Sequence, residues 1–289
     1  MIVLFNPAAG RRRAHLLWRV LDVLSANGTR LEITETTGRG HATELARQAA
    51  QAGAPLVVAA GGDGTIAEVA SGLIGTTTRL GVIPLGTANV LAQELRLSVE
   101  PRAVAAALAF GRTRLLWPGL ADTQSGSRTF VQMIGAGLDA QVVHRLCLPL
   151  KRAIGRGAYV LQTLRESTRY QYPPLRVTLD GAATETASVI VTKGRLYAGN
   201  FTLAPLARPE EPGFWVALFD KGGMLPALGY GAALTLDLLP RMPGCRLVRA
   251  SRVEIRGADA TPAQADGDPA GVTPIVITDA EKPIEVVTG

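Results

Sequence analysis

Apolar positions through the first third of the chain switch between two periods. "IVLF" (Ile2 to Phe5) is a short unbroken apolar run closed by Asn6, Pro7 and Gly10; it predicts a buried strand. Leu16, Leu17, Val20, Leu21 and Leu24 then recur at helical spacing until Asn27 and Gly28 stop them. "RLEIT" alternates, "HATELARQAAQAG" predicts an alanine-rich helix ended by Gly53, and "LVVAA" predicts a fully buried strand. "TIAEVASGLIG" reads as a helix capped by Gly75, and "RLGVIP" as the next strand. Strand and helix in alternation predict a parallel sheet covered by helices on both faces.

After about Pro118 the strand period dominates, in "TFVQMIG", "LRVTLDG", "ASVIVTKG", "GFWVALF", "RLVRASRVEIRG", "PIVIT" and "IEVVT". Asp180-Gly181 marks a hairpin turn. So many short strands predict a β-sandwich, interrupted by helices near Asp139 to Leu148, Tyr159 to Ser167 and Leu225 to Leu239. The switch falls between Leu115 and Leu120, giving an α/β domain over 1–117 and a β-sandwich over 118–289. The most apolar segment, Leu225 to Pro240, contains Asp237 and falls short of the ~20 residues that cross a bilayer. It reads as a buried or interfacial helix.

Composition narrows the classes. With 289 residues, 47% hydrophobic and 19% charged, the chain is globular, with a sizeable core. Its net charge of +6 rests on arginine, which suits phosphates; only Lys151, Lys193, Lys221 and Lys282 are lysines. Arg11, Arg12 and Arg13 form a run that fits a solvated loop, nucleotide phosphate or an anionic membrane surface. No aromatic residues interleave with the basic ones, which disfavours nucleic acid. Cys147 and Cys245, far apart, fit a reduced cytosolic setting. "MIVLFNP" lacks the features of a signal peptide, so export by that route is not expected. His15, His41 and His144 are scattered and show no ligand spacing.

Ligands of an open parallel sheet bind beyond the carboxyl ends of its strands. Three polar loops fall there: "NPAAG" after the first strand, "GGDGT" after the third and "LGTAN" after the fourth. Gly61, Gly62 and Gly64 let backbone approach a ligand and are expected to use positive φ, while Thr65 is expected to open a helix whose N–H groups favour an anion. Asp63 is a carboxylate in a place built for phosphates, which calls for a cation between them. Mg²⁺ is the usual one. The competing expectation is that Asp63 caps the helix.

These loops, with "TTGRGHA", "EVASGL" and "PLGTAN" in this order, resemble the diacylglycerol kinase catalytic domain family, which includes bacterial lipid kinases and sphingosine and ceramide kinases. "GAGLDAQVV", "GRLYAGNFTLAP" and "ADGDPAG" resemble that family's second domain, so the likeness covers nearly the whole chain. It implies ATP, with Mg²⁺, held between a nucleotide-binding α/β domain and a β-sandwich that supplies a lipid pocket. The nucleotide contacts it implies are Asn6, Pro7, Ala8, Ala9 and Gly10; Thr36; Gly61, Gly62, Asp63, Gly64, Thr65, Ile66, Ala67 and Glu68; and Gly86, Thr87 and Asn89. Asp63 is the metal residue. Asp268 takes the position of the family's proton-accepting glutamate, with Asp266 just before it as a further catalytic candidate.

The chain departs from the pattern at three places. Ala67 stands where the family usually has asparagine. Pro212, in "EEPGFW", stands where bacterial members have the aspartate of an Asp-Gly pair that helps hold a structural Mg²⁺, with Glu211 as the candidate substitute. Asp268 is one carbon shorter than glutamate. The reading expected from all this is ATP-dependent phosphorylation of a lipid hydroxyl such as that of diacylglycerol, in the cytoplasm, with reversible contact at the inner membrane face. The alternatives are an NAD kinase-like enzyme and a degenerate kinase that binds nucleotide or lipid without turnover.

Overall fold

A computed structural model of the chain describes residues 1–9, 13–124, 126–145 and 156–289, the side chains of 156–161 excepted. Gly10, Arg11, Arg12, Cys147, Lys151 and Arg152 lie outside the described residues. The chain forms two compact units, Met1–Pro118 with Pro209–Glu211 and Ala280–Gly289, and Gly119–Arg208 with Pro212–Asp279.

The first unit is built on β1 (Ile2–Phe5), β2 (Glu32–Glu35), β3 (Leu56–Gly61), β4 (Arg79–Pro84), β5 (Arg112–Leu116) and the C-terminal β20 (Ile284–Thr288), in the order β2-β1-β3-β4-β20-β5. The strands β2, β1, β3 and β4 pair in parallel. The helices are α1 (Ala14–Ala26), α2 (His41–Gln51), α3 (Asp63–Leu73), α4 (Val90–Glu94) and α5 (Pro101–Phe110). Leu16, Leu17, Val20, Leu21 and Leu24 form the buried stripe of α1 and join Val3, Val58, Val104 and Leu108 in one core. The order reverses between β1 and β3, and such a switch point leaves a crevice at the strand ends.

The expected span of the second domain, 118–289, is corrected at its end. Residues 280–289 fold with the first unit, because β20 pairs antiparallel with β5 from Ile284↔Leu116 to Thr288↔Arg112 and buries Ile284, Val286 and Val287. Sequence period marks "IEVVT" as a strand and cannot say which sheet receives it.

The second unit contains two six-stranded sheets and a small hairpin. One sheet is formed by β6 (Gly119–Thr123), β7 (Gly126–Phe130), β9 (Leu175–Leu179), β10 (Ala182–Thr186), β16 (Val253–Gly257) and β19 (Ile275–Asp279). The other comprises β8 (Met133–Ala136), β11 (Ser188–Thr192), β14 (Phe214–Phe219), β15 (Cys245–Ala250), β17 (Pro262–Ala265) and β18 (Asp268–Val272). The hairpin is β12 (Leu196–Tyr197) with β13 (Phe201–Thr202). Phe130, Val177, Val189, Val191, Phe214, Val216, Val253 and Ile277, drawn from both sheets, are buried in one core, as a sandwich requires. Asp180 (φ 47°) and Gly181 (φ 94°) make the two-residue turn between β9 and β10. "TFVQMIG", expected as one strand, is broken at Val131 and Gln132.

Among the described residues, the sandwich sequence also carries α6 (Leu138–Arg145), α7 (Arg156–Arg169) and α8 (Met224–Thr235). Only Tyr230 and Ala233 of α8 are buried, whereas Leu225 is 75% exposed. Among the described residues no helix is long and apolar enough to cross a membrane.

Candidate functional site

In the first unit, three loops at the ends of β1, β3 and β4 are tied to one another. Asn6 bends its own loop by accepting the Ala8 N–H at Oδ1 (2.9 Å), and its Nδ2 donates to Thr65 Oγ1 (2.9 Å). The Leu85 N–H donates to the Gly61 carbonyl (2.9 Å). Asn89, in the left-handed region at φ 48°, donates from Nδ2 to the carbonyls of Gly86 (2.9 Å) and Pro84 (3.3 Å). Its Oδ1 is buried without a hydrogen-bond partner. Thr36 joins the β1 edge through its N–H to the Phe5 carbonyl (2.8 Å).

The glycines act here by size. Positive φ was expected for Gly61, Gly62 and Gly64, and none of them has it; Gly62 sits at φ −93°, ψ −176°. A Cβ on Gly86 would lie 2.6 Å from the Gly62 Cα, and one on Gly61 would lie 2.5 Å from Thr65 Oγ1. Backbone packs directly on backbone. The helix that Thr65 was expected to open begins at Asp63, which places Thr65 inside its first turn. Ile66 and Ala67, at 0% and 3% exposure, point their side chains into the core, so neither side chain is presented to a ligand. Gly62, Asp63, Gly64 and Glu68 stay partly accessible, and Pro7, Ala8 and Thr87 are exposed. His41 Nδ1 takes the Thr37 N–H (3.1 Å).

Asp63 braces the site. Its Oδ1 accepts the Leu91 N–H (3.1 Å), so the carboxylate of one loop caps the short helix that follows another. Burial pushes its pKa up, against the backbone N–H groups of Leu91, Val90 and Asn89 that hold it down. Capping does occur, then, but of α4 rather than of its own helix. Among the described residues no group of three His, Cys, Asp or Glu is arranged to hold a metal. The donor set therefore fits a Mg²⁺ carried in on phosphate oxygens, with Asp63 as the loop's carboxylate, and does not form a protein cage.

In the second unit, β17 and β18 are joined by the two-residue turn Asp266-Gly267, with φ 49° and 81°. Asp266 turns back to the chain: Oδ1 accepts the N–H groups of Gln132 and Met133 (2.9 Å each) and Oδ2 that of Val131 (2.8 Å). These bonds break the "TFVQMIG" run. Gln264 Oε1 accepts the Gly267 N–H (2.9 Å), and Gln264 Nε2 donates to Asp139 Oδ2 (2.8 Å). The Tyr197 hydroxyl donates to the other oxygen of Asp139, whose pKa burial pushes up. Asp268 opens β18 with its side chain 42% exposed and the Arg128 guanidinium 3.8 Å away. Of the two acids on this turn, Asp266 is committed to backbone and Asp268 is accessible. Gln264, Asp139 and Tyr197 hold the turn, a trio that sequence spacing alone does not associate.

The structural Mg²⁺ implied at Pro212 does not fit this turn. Proline offers no ligand side chain, the Pro212 carbonyl accepts Arg249 Nη2 (3.0 Å), and the Gly213 carbonyl accepts Lys193 Nζ (2.8 Å).

Two family models match the chain, the diacylglycerol kinase catalytic domain over residues 1–117 and the YegS C-terminal NAD kinase beta sandwich-like domain over residues 132–288. The diacylglycerol kinase of Bacillus subtilis (strain 168) is 27% identical over 292 residues, covering 99% of this chain and 95% of that protein. A Chromohalobacter salexigens protein named "Probable lipid kinase YegS-like" is 33% identical over 191 residues, a match that spans 64% of this chain and 60% of that protein. A solved structure of a diacylglycerol kinase from Bacillus anthracis str. Sterne has the same fold, with a TM-score of 0.77 at 21% identity, over 100% of this chain and 96% of that one.

Proposed function

Because this chain belongs to the family that joins a diacylglycerol kinase catalytic domain to a YegS-type C-terminal β-sandwich domain, we propose that it is an ATP-dependent kinase of a lipid alcohol, diacylglycerol being the leading candidate. The observation that carries the reading is the cross-bracing of the Gly61 to Thr65 loop to the loops after β1 and β4, through Asn6–Thr65, Asp63–Leu91 and the Gly62–Gly86 approach. It supports a rigid anion-binding platform at the N-terminus of α3, where the helix dipole favours phosphate.

Phosphoryl transfer asks mainly for positioning and charge neutralisation. Mg²⁺ bound with the nucleotide supplies neutralisation of the phosphates. The loop backbone at Gly62 to Gly64 orients them, and Asn6 fixes Thr65 beside them. Asp268 accepts the hydroxyl proton of the lipid as its oxygen bonds to the γ-phosphorus and ADP leaves. Carboxylates are weak bases. In a loose transition state, however, the proton departs late and orientation matters more than basicity. The locked Asp266-Gly267 turn supports that orientation.

The exposed apolar residues Met224, Leu225 and Leu228 of α8 support reversible contact with a membrane surface, the inner face of the cytoplasmic membrane in this reading. ATP consumption with mixed lipid extract, with NAD and with neither tests the proposal. Lipid-dependent turnover sustains it. NAD-dependent turnover favours the soluble-substrate kinase, and the absence of turnover with either favours a binding protein.

A further inference from the structure

Only four lysines occur in the chain, and one of them, Lys193, has its side chain at 0% exposure. It follows β11, and its Nζ donates to Asp279 Oδ1 (2.6 Å) at the end of β19 and to the Gly213 carbonyl (2.8 Å) just before β14. The ammonium also lies 4.7 Å from the centre of the Phe214 ring, whose face attracts a cation. Asp279 uses its other oxygen to accept the Gly213 N–H, so both backbone groups of Gly213 are bound by one ion pair. Gly213 sits at φ 85°, a conformation that side-chain-bearing residues rarely take and that glycine takes without strain. An isolated buried ammonium is expensive, and burial leaves the Lys193 pKa below its usual value, with Asp279 opposing the drop.

One residue earlier, Arg249 donates to the Pro212 carbonyl at 3.0 Å. Consecutive carbonyls of the turn thus face nitrogen cations. A divalent ion here would need several oxygen ligands, a carboxylate among them. It would find proline at the expected carboxylate position, the nearby Asp279 already paired with Lys193, and two positive charges already at the carbonyls.

We infer that Lys193 is the resident cation of the Pro212–Gly213 turn, doing for this chain what a bound divalent ion would otherwise do there, so that the second unit folds and holds this turn without metal. Any Mg²⁺ requirement of catalysis then belongs to the nucleotide alone. The inference concerns folding and stands apart from the kinase reading.

Thermal unfolding of the full chain without nucleotide tests it. The midpoint should be the same in EDTA and in millimolar MgCl₂. Lys193→Gln should lower it by about 10 °C, because the partly buried Asp279 carboxylate loses its cation and keeps the Gly213 N–H. Lys193→Gln with Asp279→Asn should be less destabilised than the two single changes added together. A Mg²⁺-dependent rise of the wild-type midpoint overturns the inference, as does a Lys193→Gln midpoint equal to wild type or strict additivity in the double variant. If the single variant does not fold, the wild-type comparison in EDTA and MgCl₂ decides alone.

Discussion

Replacing Asp266 separates an acid that holds backbone from the proposed proton acceptor Asp268. Its carboxylate accepts three backbone N–H groups at 2.8 to 2.9 Å. A hydrogen bond to a charged group contributes ~1.5–3 kcal/mol, and the low end applies because the turn is only partly buried, giving about 4.5 kcal/mol for the three. Alanine in the left-handed conformation adds about 1 kcal/mol. Asp266→Ala should therefore cost about 5.5 kcal/mol, a midpoint drop on the order of 10–20 °C for a unit of this size. Asp266→Asn should cost roughly half as much. It keeps an oxygen for Gln132 and Met133 and turns an NH₂ toward Val131. Urea unfolding followed by circular dichroism measures both, and turnover is read below the midpoint. A stable Asp266→Asn protein that loses turnover ~10²-fold or more would refute the reasoning and make Asp266 itself the proton acceptor.

Three further outcomes are expected. Gly86→Ala puts a Cβ 2.6 Å from Gly62 Cα and 2.7 Å from Asn89 Oδ1, so it should force the loops apart, destabilise by ~1–3 kcal/mol and weaken ATP binding in a calorimetric titration. Burial raises the folded-state pKa of Asp139, so its share of stability is full below its unfolded value near ~3.9 and is lost as pH rises through the folded value. Unfolding free energies across that acidic window should show this fall in wild type and a flatter profile in Asp139→Asn. Leu225→Glu with Leu228→Glu on α8 should reduce sedimentation with anionic vesicles while leaving circular dichroism unchanged; undiminished binding would assign the membrane contact elsewhere.

Much of the first unit is legible in sequence because its elements are marked by local signals. The five leucine and valine positions of α1, the unbroken run of β3 and the glycine-rich loop each announce themselves within a dozen residues. The pieces missed lie between Val90 and Leu116, where α4 is too short to show a period and α5 is announced only by Glu100-Pro101. Glu100 does cap that helix, accepting the Ala103 N–H at 2.6 Å. Long-range choices were hidden: β20 returns to the first sheet through pairing with β5, more than 160 residues earlier in the chain. At the candidate site, the placing of three polar loops at strand ends was readable and the reason for their glycines was not. Local sequence suggests positive φ for glycine, while the structure uses Gly62 and Gly86 for a contact between loops that are distant in sequence. Asp266 and Asp268 look alike on paper, and only the three N–H groups of 131–133 tell them apart. Lys193 carries no motif at all; its role comes from partners 20 and 86 residues away.

The most direct test of the central claim is mass spectrometry of a mixed lipid extract incubated with ATP, Mg²⁺ and either wild-type protein or Asp268→Ala. The account predicts a phosphorylated lipid alcohol with wild type, formed only when ATP is present, and ~10²- to 10⁴-fold less of it with Asp268→Ala at unchanged thermal stability. No phosphorylated lipid from wild type, or equal product from Asp268→Ala, would contradict it.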